Sequence, residues 1–309
     1  MRTQFAIGTR GSLLAVAQAQ SVQAELSRLF PQYAFPLRKI TTTGDLAKNV
    51  PLGSINLKGV FTKELDEALL AGTIDLAVHS LKDLPSEIPP QLSLQAVTRC
   101  LDPRDAVISK DGRKLSELPA GAKIGTSSLR RGSLIREKHP SLAVALLRGN
   151  VDTRIRKLDR GEYAAILVAA AGLKRLGREE RITEYLDPFE FIPAIGQGML
   201  AVVARRGEEE TAKLLFPLDD AAAHRIADGE RRFMRRMEGG CQVPMGCYGE
   251  ASGDGVRFVA YLATPDAKKE IRVRQSGKLK DSIEICDALA DEILAAGGGE
   301  ILREIGVKL

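Results

Sequence analysis

The chain has 309 residues, enough for two or three domains of ordinary size, and at 44% hydrophobic and 28% charged it has a globular composition. No apolar run approaches the length of a membrane span, and four scattered cysteines without a C-x-x-C pair exclude a zinc-ribbon module and argue against a disulfide framework. The net charge of +5 is unevenly placed: residues 99–181 hold 19 Lys and Arg against 10 Asp and Glu, so an anionic partner is expected there.

In chain order, the first residues have no signal-peptide hydrophobic stretch and lead directly into a strand at 5–9, which predicts a cytoplasmic protein. Ser12 can cap a helix running to about Phe30, with Leu14, Ala17, Ala24 and Leu26 as inward candidates, and Pro31 ends it. A strand at 37–42, a helix at 62–71 ended by Gly72, and a buried parallel strand at 74–79 continue a βαβ rhythm. The intervening 47–59 stretch, with Pro51, Gly53, Ser54, Asn56 and Gly59, lacks either periodicity, which leaves a mobile lid and an ordinary surface loop equally open.

A second cycle follows: strands at 106–108, 123–126, 142–147 and 164–169, with helices at 128–138 and 153–159. Residues 191–203 are predicted as a crossing back to the first domain. After Pro217 come a helix at 221–237, strands near 256–263 and 270–275, and a terminal helix at 281–296. The expected architecture is α/β, divided as 1–98 with 199–217, 99–198, and a small α+β domain at 218–309.

Polar groups cluster where strands give way to helices. Gly8-Thr9-Arg10-Gly11-Ser12 offers free amides and a cation at a helix start, suited to a carboxylate or phosphate, yet it has neither Walker nor dinucleotide glycine spacing. Gly125-Thr126-Ser127-Ser128-Leu129-Arg130-Arg131 puts three hydroxyls and two guanidiniums into one opening turn, and Arg148 and Arg154 follow about one loop apart. Arginine binds carboxylates through a bidentate fork, so this set predicts a substrate with several carboxylates. Lys82 and Asp83 directly follow the apolar strand, where open α/β sheets place reactive groups. Gly239-Gly240-Cys241-Gln242-Val243-Pro244 holds a thiol on a constrained turn. On residues alone, an arginine-lined anion sensor and a nucleic-acid binder stay open beside an enzyme. The 5% aromatic content, the lack of tryptophan and the missing nucleic-acid motifs weigh against the second.

Together these segments, with 170–177 (Ala-Ala-Gly-Leu-Lys-Arg-Leu-Gly) and 193–198 (Pro-Ala-Ile-Gly-Gln-Gly), closely resemble the porphobilinogen deaminase family in the right order from residue 5 to about 250. The resemblance implies two periplasmic-binding-protein-like α/β domains facing a cleft, plus a small third domain. It implies a transferase of haem and tetrapyrrole biosynthesis that joins four porphobilinogen units head to tail, with loss of ammonia, into linear hydroxymethylbilane. It implies a dipyrromethane cofactor held by a thioether to Cys241. Cys247 lies six residues on, but the surrounding motif assigns the anchor to Cys241.

By the same resemblance Asp83 is the catalytic residue, stabilising pyrrole nitrogens as positive charge develops. Lys82, Asp83, Thr126, Ser128, Arg130, Arg131, Arg148 and Gly172 would hold the cofactor. Arg10, Ser12, Arg148, Arg154, Arg175 and Gln197 would bind substrate, and Lys58 and Phe61 would belong to the lid. The partners implied are porphobilinogen and the growing oligopyrrole, with no metal, nucleic acid or membrane, on a monomer.

Overall fold

A computed structural model describes residues 2–43, 62–238 and 243–307. The expected lid with Lys58 and Phe61, and Cys241 with its flanking glycines, lie outside the described residues. The chain divides into two compact units, Met1–Leu101 with Met199–His224, and Asp102–Gly198 with Arg225–Leu309.

The first unit is built on β1 (Ile7–Arg10), α1 (Leu13–Leu29), β2 (Leu37–Ile40), α2 (Lys63–Leu70), β3 (Leu76–Ser80) and β4 (Leu92–Val97). One later strand, Leu200–Arg205 (β10 in chain order), inserts between β3 and β4, so the sheet order is β2-β1-β3-β10-β4. β1 pairs in parallel with β2 and β3, whereas β10 is antiparallel to both its neighbours. Ser12 caps α1 by accepting the Ala15 N–H at 3.2 Å. The helix buries Ala15, Gln18, Ala19, Val22 and Leu26, a three-to-four spacing that lays one stripe on the sheet. Of the four predicted inward residues only Leu26 is buried, because the stripe is phased one residue away from Leu14 and runs through Gln18. Gly8 permits close packing, since a Cβ there would stand 2.3 Å from Ile74 Cδ1.

The second unit repeats this plan. It comprises β5 (Asp105–Ser109), β6 (Lys123–Thr126), α3 (Leu129–Lys138), β7 (Ala143–Leu146), α4 (Val151–Asp159), β8 (Ala165–Ala169), α5 (Ala170–Arg175) and β9 (Glu184–Tyr185). Its order is β7-β6-β8-β5-β9, with β6 parallel to β7 and β8 and β5 antiparallel to its neighbours. Both five-stranded sheets therefore share one topology, three parallel strands followed by two antiparallel steps.

The same unit carries a three-stranded meander, β11 (Met245–Ser252), β12 (Gly255–Ala263) and β13 (Glu270–Lys278). Helix α7 (Ala221–Arg236), which follows α6 (Glu209–Leu215), precedes it, and α8 (Ser282–Ile293) follows it. β12 is buried on both faces. Phe258, Ala260 and Leu262 pack with Phe233, Cys286, Leu289 and Ile293. Val259, Tyr261 and Ala263 pack with Ile124, Leu134 and Leu167 of the five-stranded sheet and its helix. The Tyr261 hydroxyl donates to Ser133 Oγ at 3.1 Å across that seam.

Three features go beyond the sequence reading. The expected crossing at 191–203 does return the chain to the first unit, but it ends in β10, whose Leu200 to Ala204 run is buried; the Gly-rich turn before it hid the strand start. The Met245–Ser252 strand was not foreseen, because Gly246 and Gly249 interrupt its alternation. The terminal helix expected at 281–296 does give way at Gly297, which has φ +98°, but a further helix not foreseen, α9 (Gly299–Glu304), follows it.

Candidate anion-binding site

In the second unit, the parallel strands β6, β7 and β8 all end at one edge, at Thr126, Leu146 and Ala169. β5 runs the other way, so its first residue, Asp105, stands opposite Ala169 at that same edge. Thr126 Oγ1 accepts the Ser128 N–H at 3.1 Å, and Ser128 Oγ caps α3 by accepting the Arg131 N–H at 3.3 Å. This turn sends the next two arginines inward rather than to solvent: Arg130 is 4% exposed and Arg131 6%.

Both converge on Asp105. Arg130 Nη1 donates to Asp105 Oδ2 at 2.8 Å and to the Ile192 carbonyl at 2.6 Å. Arg131 donates to Asp105 Oδ1 through Nε at 3.0 Å and Nη2 at 2.6 Å, and through Nη1 to the Leu167 carbonyl at 3.2 Å. Gln197 Nε2 completes the ring, donating to Asp105 Oδ1 at 2.9 Å and to the Pro103 carbonyl at 2.7 Å. From α4, Arg154 donates through Nε to the Gly149 carbonyl at 2.7 Å and through Nη2 to Ser127 Oγ at 3.2 Å. Gly149 has φ +119°, which admits little but glycine, and Asn150 caps α4 through the Thr153 N–H. Arg148 follows β7 and is half-buried, Gly172 is buried in α5, and Arg175 Nη2 donates to the Gly198 carbonyl at 2.8 Å.

Burial alone would raise the Asp105 carboxyl, but the Arg130 and Arg131 guanidiniums overcome it and hold it well below the usual carboxylate range. Burial lowers Arg130, and burial followed by the charge of Arg131 lowers Arg154 to about 10. Arg130 and Arg131 thus share the Asp105 carboxylate, while Arg154, bonded to a carbonyl and a hydroxyl, has no part in that ion cluster. An edge with more guanidiniums than Asp105 can balance suits a ligand that brings its own carboxylates.

In the first unit, Arg10 ends β1 and the adjacent β3 ends at Ser80, followed by a single 3-10 turn, Leu81–Asp83. The turn is tied down by the Leu81 N–H on the Met199 carbonyl at 3.1 Å, and Gln18 Nε2 donates to Ser80 Oγ at 2.7 Å. Lys82 is half-buried and the Asp83 carboxylate is exposed. Burial, and then the nearby charge of Arg10, push His79 down to about 4, so this imidazole is neutral at physiological pH.

The structure therefore gathers Thr126, Ser128, Arg130, Arg131, Arg154 and Gln197 at one edge, and sets Arg10, Ser12, Lys82 and Asp83 at the strand ends of the other sheet. Sequence reasoning missed Asp105. The acid opens an apolar strand, but no local pattern marks it as the counter-charge of arginines 25 and 26 residues on. Among the other cysteines, Cys247 and Cys286 are fully buried in the core of the meander, and burial followed by Cys286 pushes the Cys247 thiol up.

Such an edge has the chemistry to receive the carboxylates of a small ligand within an α/β lobe. The comparisons are more specific. Residues 5–213 match the family model described as porphobilinogen deaminase, dipyromethane cofactor binding domain, and residues 226–295 match the porphobilinogen deaminase C-terminal domain. The porphobilinogen deaminase of Roseiflexus castenholzii is 46% identical over 302 residues, covering 98% of this chain and 99% of the relative. That of Syntrophobacter fumaroxidans is 42% identical over 299 residues, covering 97% of each. The chain belongs to the porphobilinogen deaminase family, whose members are transferases.

Proposed function

We propose that this chain condenses four porphobilinogen molecules head to tail, releasing ammonia at each step, to give linear hydroxymethylbilane on a dipyrromethane primer. The observation that carries the reading is the placing of three arginines at one strand edge, Arg130 and Arg131 on the Asp105 carboxylate and Arg154 on Ser127 Oγ and the Gly149 carbonyl. Each pyrrole unit of such a chain bears an acetate and a propionate, so an edge with surplus guanidinium charge fits the group.

Dipyrromethane supplies a nucleophilic pyrrole carbon at which the chain is extended. Its thioether would be made by Cys241, a choice supported by the burial of Cys247 and Cys286. Arg130, Arg131 and Arg148, with the hydroxyls of Thr126 and Ser128 and the small Gly172, would hold its side-chain carboxylates, joined by Lys82. Arg10, Ser12, Arg154, Arg175 and Gln197 would receive those of the incoming unit. Asp83 stands exposed on a short rigid turn, so it has the freedom to meet a substrate and the fixed backbone to orient one. As an anionic acceptor it would stabilise the positive charge left on the pyrrole when ammonia departs and accept pyrrole N–H hydrogen bonds.

Asp83→Ala should lower turnover by at least a hundredfold while leaving dipyrromethane attached, as read by intact mass beside a steady-state assay. Normal turnover would sink the assignment. The chain is expected to act as a cytoplasmic monomer. Among the described residues no helix is long and apolar enough to cross a membrane, and elution on size exclusion near 33.4 kDa would support the oligomeric part. A separate third domain at 218–309 is supported by the separate family match over residues 226–295, although that stretch packs in one compact unit with residues 102–198.

A further inference from the structure

Glu230 lies on α7, is 2% exposed, and is not among the residues assigned to the reaction. Its two oxygens accept backbone amides from two different segments: Oε2 from the Gly196 N–H at 2.6 Å and Oε1 from the Gly249 N–H at 2.9 Å. Gly196 (φ +72°) and Gly198 (φ +94°) are left-handed and flank Gln197. Glycines in that conformation leave a turn soft unless something external holds it. Here three bonds do so: Gly196 N–H on Glu230, Gln197 N–H on the Ala194 carbonyl at 2.9 Å, and Arg175 Nη2 on the Gly198 carbonyl. The product is one side-chain position, Gln197 on Asp105, the acid that gathers Arg130 and Arg131.

We propose that Glu230 is a positioning residue: by holding the Gly196 amide it sets Gln197 against Asp105 and so shapes the arginine pocket, coupling the helix that leads to Cys241 to the site that receives the cofactor's carboxylates. A buried acid on a helix is costly, and an alanine or leucine would fill the position with less expense. What only a carboxyl offers is two oxygens, each able to accept an N–H whether or not a proton is bound. Glutamine has the same shape and size but turns a donor towards one of the two amides. It breaks one of the pair without emptying the space.

This inference rests on the deaminase reading, and one experiment separates the two. Apoprotein is incubated with porphobilinogen, and the fraction of chains gaining the dipyrromethane mass is followed by denaturing mass spectrometry. The parent, Glu230→Gln, Gln197→Ala and the double variant are compared. Expected are tenfold or greater slowing in each single variant, and a double variant within about twofold of Gln197→Ala alone, because both act through one contact. Effects that multiply, or a Glu230→Gln variant loading at the parent rate, overturn the inference while leaving the deaminase reading intact. A parent that gains no mass overturns that reading and the inference with it.

Hydrogen exchange over residues 193–199 in the apoprotein reads the turn without reference to activity. The Gly196 amide is expected to be protected in the parent and in Gln197→Ala and exposed in Glu230→Leu, which removes both acceptor oxygens and cannot keep the bond by turning an amide. Should either Glu230 variant not fold, rapid exchange of this amide in the parent would by itself overturn the role.

Discussion

Asp105 shows how much of the pocket depends on one side chain. It is fully buried and carries the hydrogen bonds of Arg130, Arg131 and Gln197, so its removal leaves two guanidiniums facing each other without a counter-charge. Losing one partner of a buried ion cluster costs about 3–5 kcal/mol. Asp105→Asn is therefore expected to lower unfolding stability by roughly that amount in urea titration. Arg154→Ala should cost far less stability, since its bonds go to a carbonyl and a hydroxyl nearer the surface. A stable Asp105→Asn would mean that the arginines find other partners. The arginine doublet was legible in the sequence as an anion site. Its internal acid was not, because nothing local ties residue 105 to residues 130 and 131; only the reversed direction of β5 brings them to one edge.

Among the elements, β11 shows why some strands escape a reading of pattern. Gly246 and Gly249 remove the alternation that would announce it, and each is demanded by packing. A Cβ on Gly246 would lie 2.5 Å from the Pro193 carbonyl oxygen and 3.1 Å from that of Ile192, and one on Gly249 would lie 2.3 Å from the Phe258 ring. Backbone carbonyls cannot step aside as a side-chain end can. Gly246→Ala should thus push on the 192–197 segment and destabilise the fold by about 1–3 kcal/mol, measurable as a lowered Tm. A neutral substitution would show that the segment has slack. By contrast the strands at β6 and β8 and the capped starts of α1 and α3 were readable, since a hydroxyl cap before a periodic run is a local signal.

Across the whole molecule, the alternation of strands and helices identified two α/β lobes. The return of residues 199–217 to the first unit was expected, but the antiparallel place of β10 in its sheet was not, since strand pairing across more than a hundred residues leaves no mark in either segment. Titration adds a test at this scale. Burial raises Glu230 to about 8 from its ordinary 4.5. Below the ordinary value both folded and unfolded chains hold the proton, so the group adds no pH dependence. Between the two values the unfolded chain has released the proton and the folded chain keeps it, so rising pH favours unfolding. The nearby Cys247 thiol, itself raised by burial, Cys286 and Glu230, stays neutral over this window. The Tm of the apoprotein should therefore fall more steeply towards pH 8 in the parent than in Glu230→Gln, which cannot titrate. Equal slopes would contradict this account of the buried acid.

The most direct test of the central claim is the intact mass of the purified chain under denaturing conditions, before and after incubation with porphobilinogen, beside a Cys241→Ser variant. A covalent excess of two pyrrole units in the parent, absent from the variant, is the predicted result. A parent that remains unmodified after incubation would contradict it and leave an arginine-lined binding protein without deaminase chemistry.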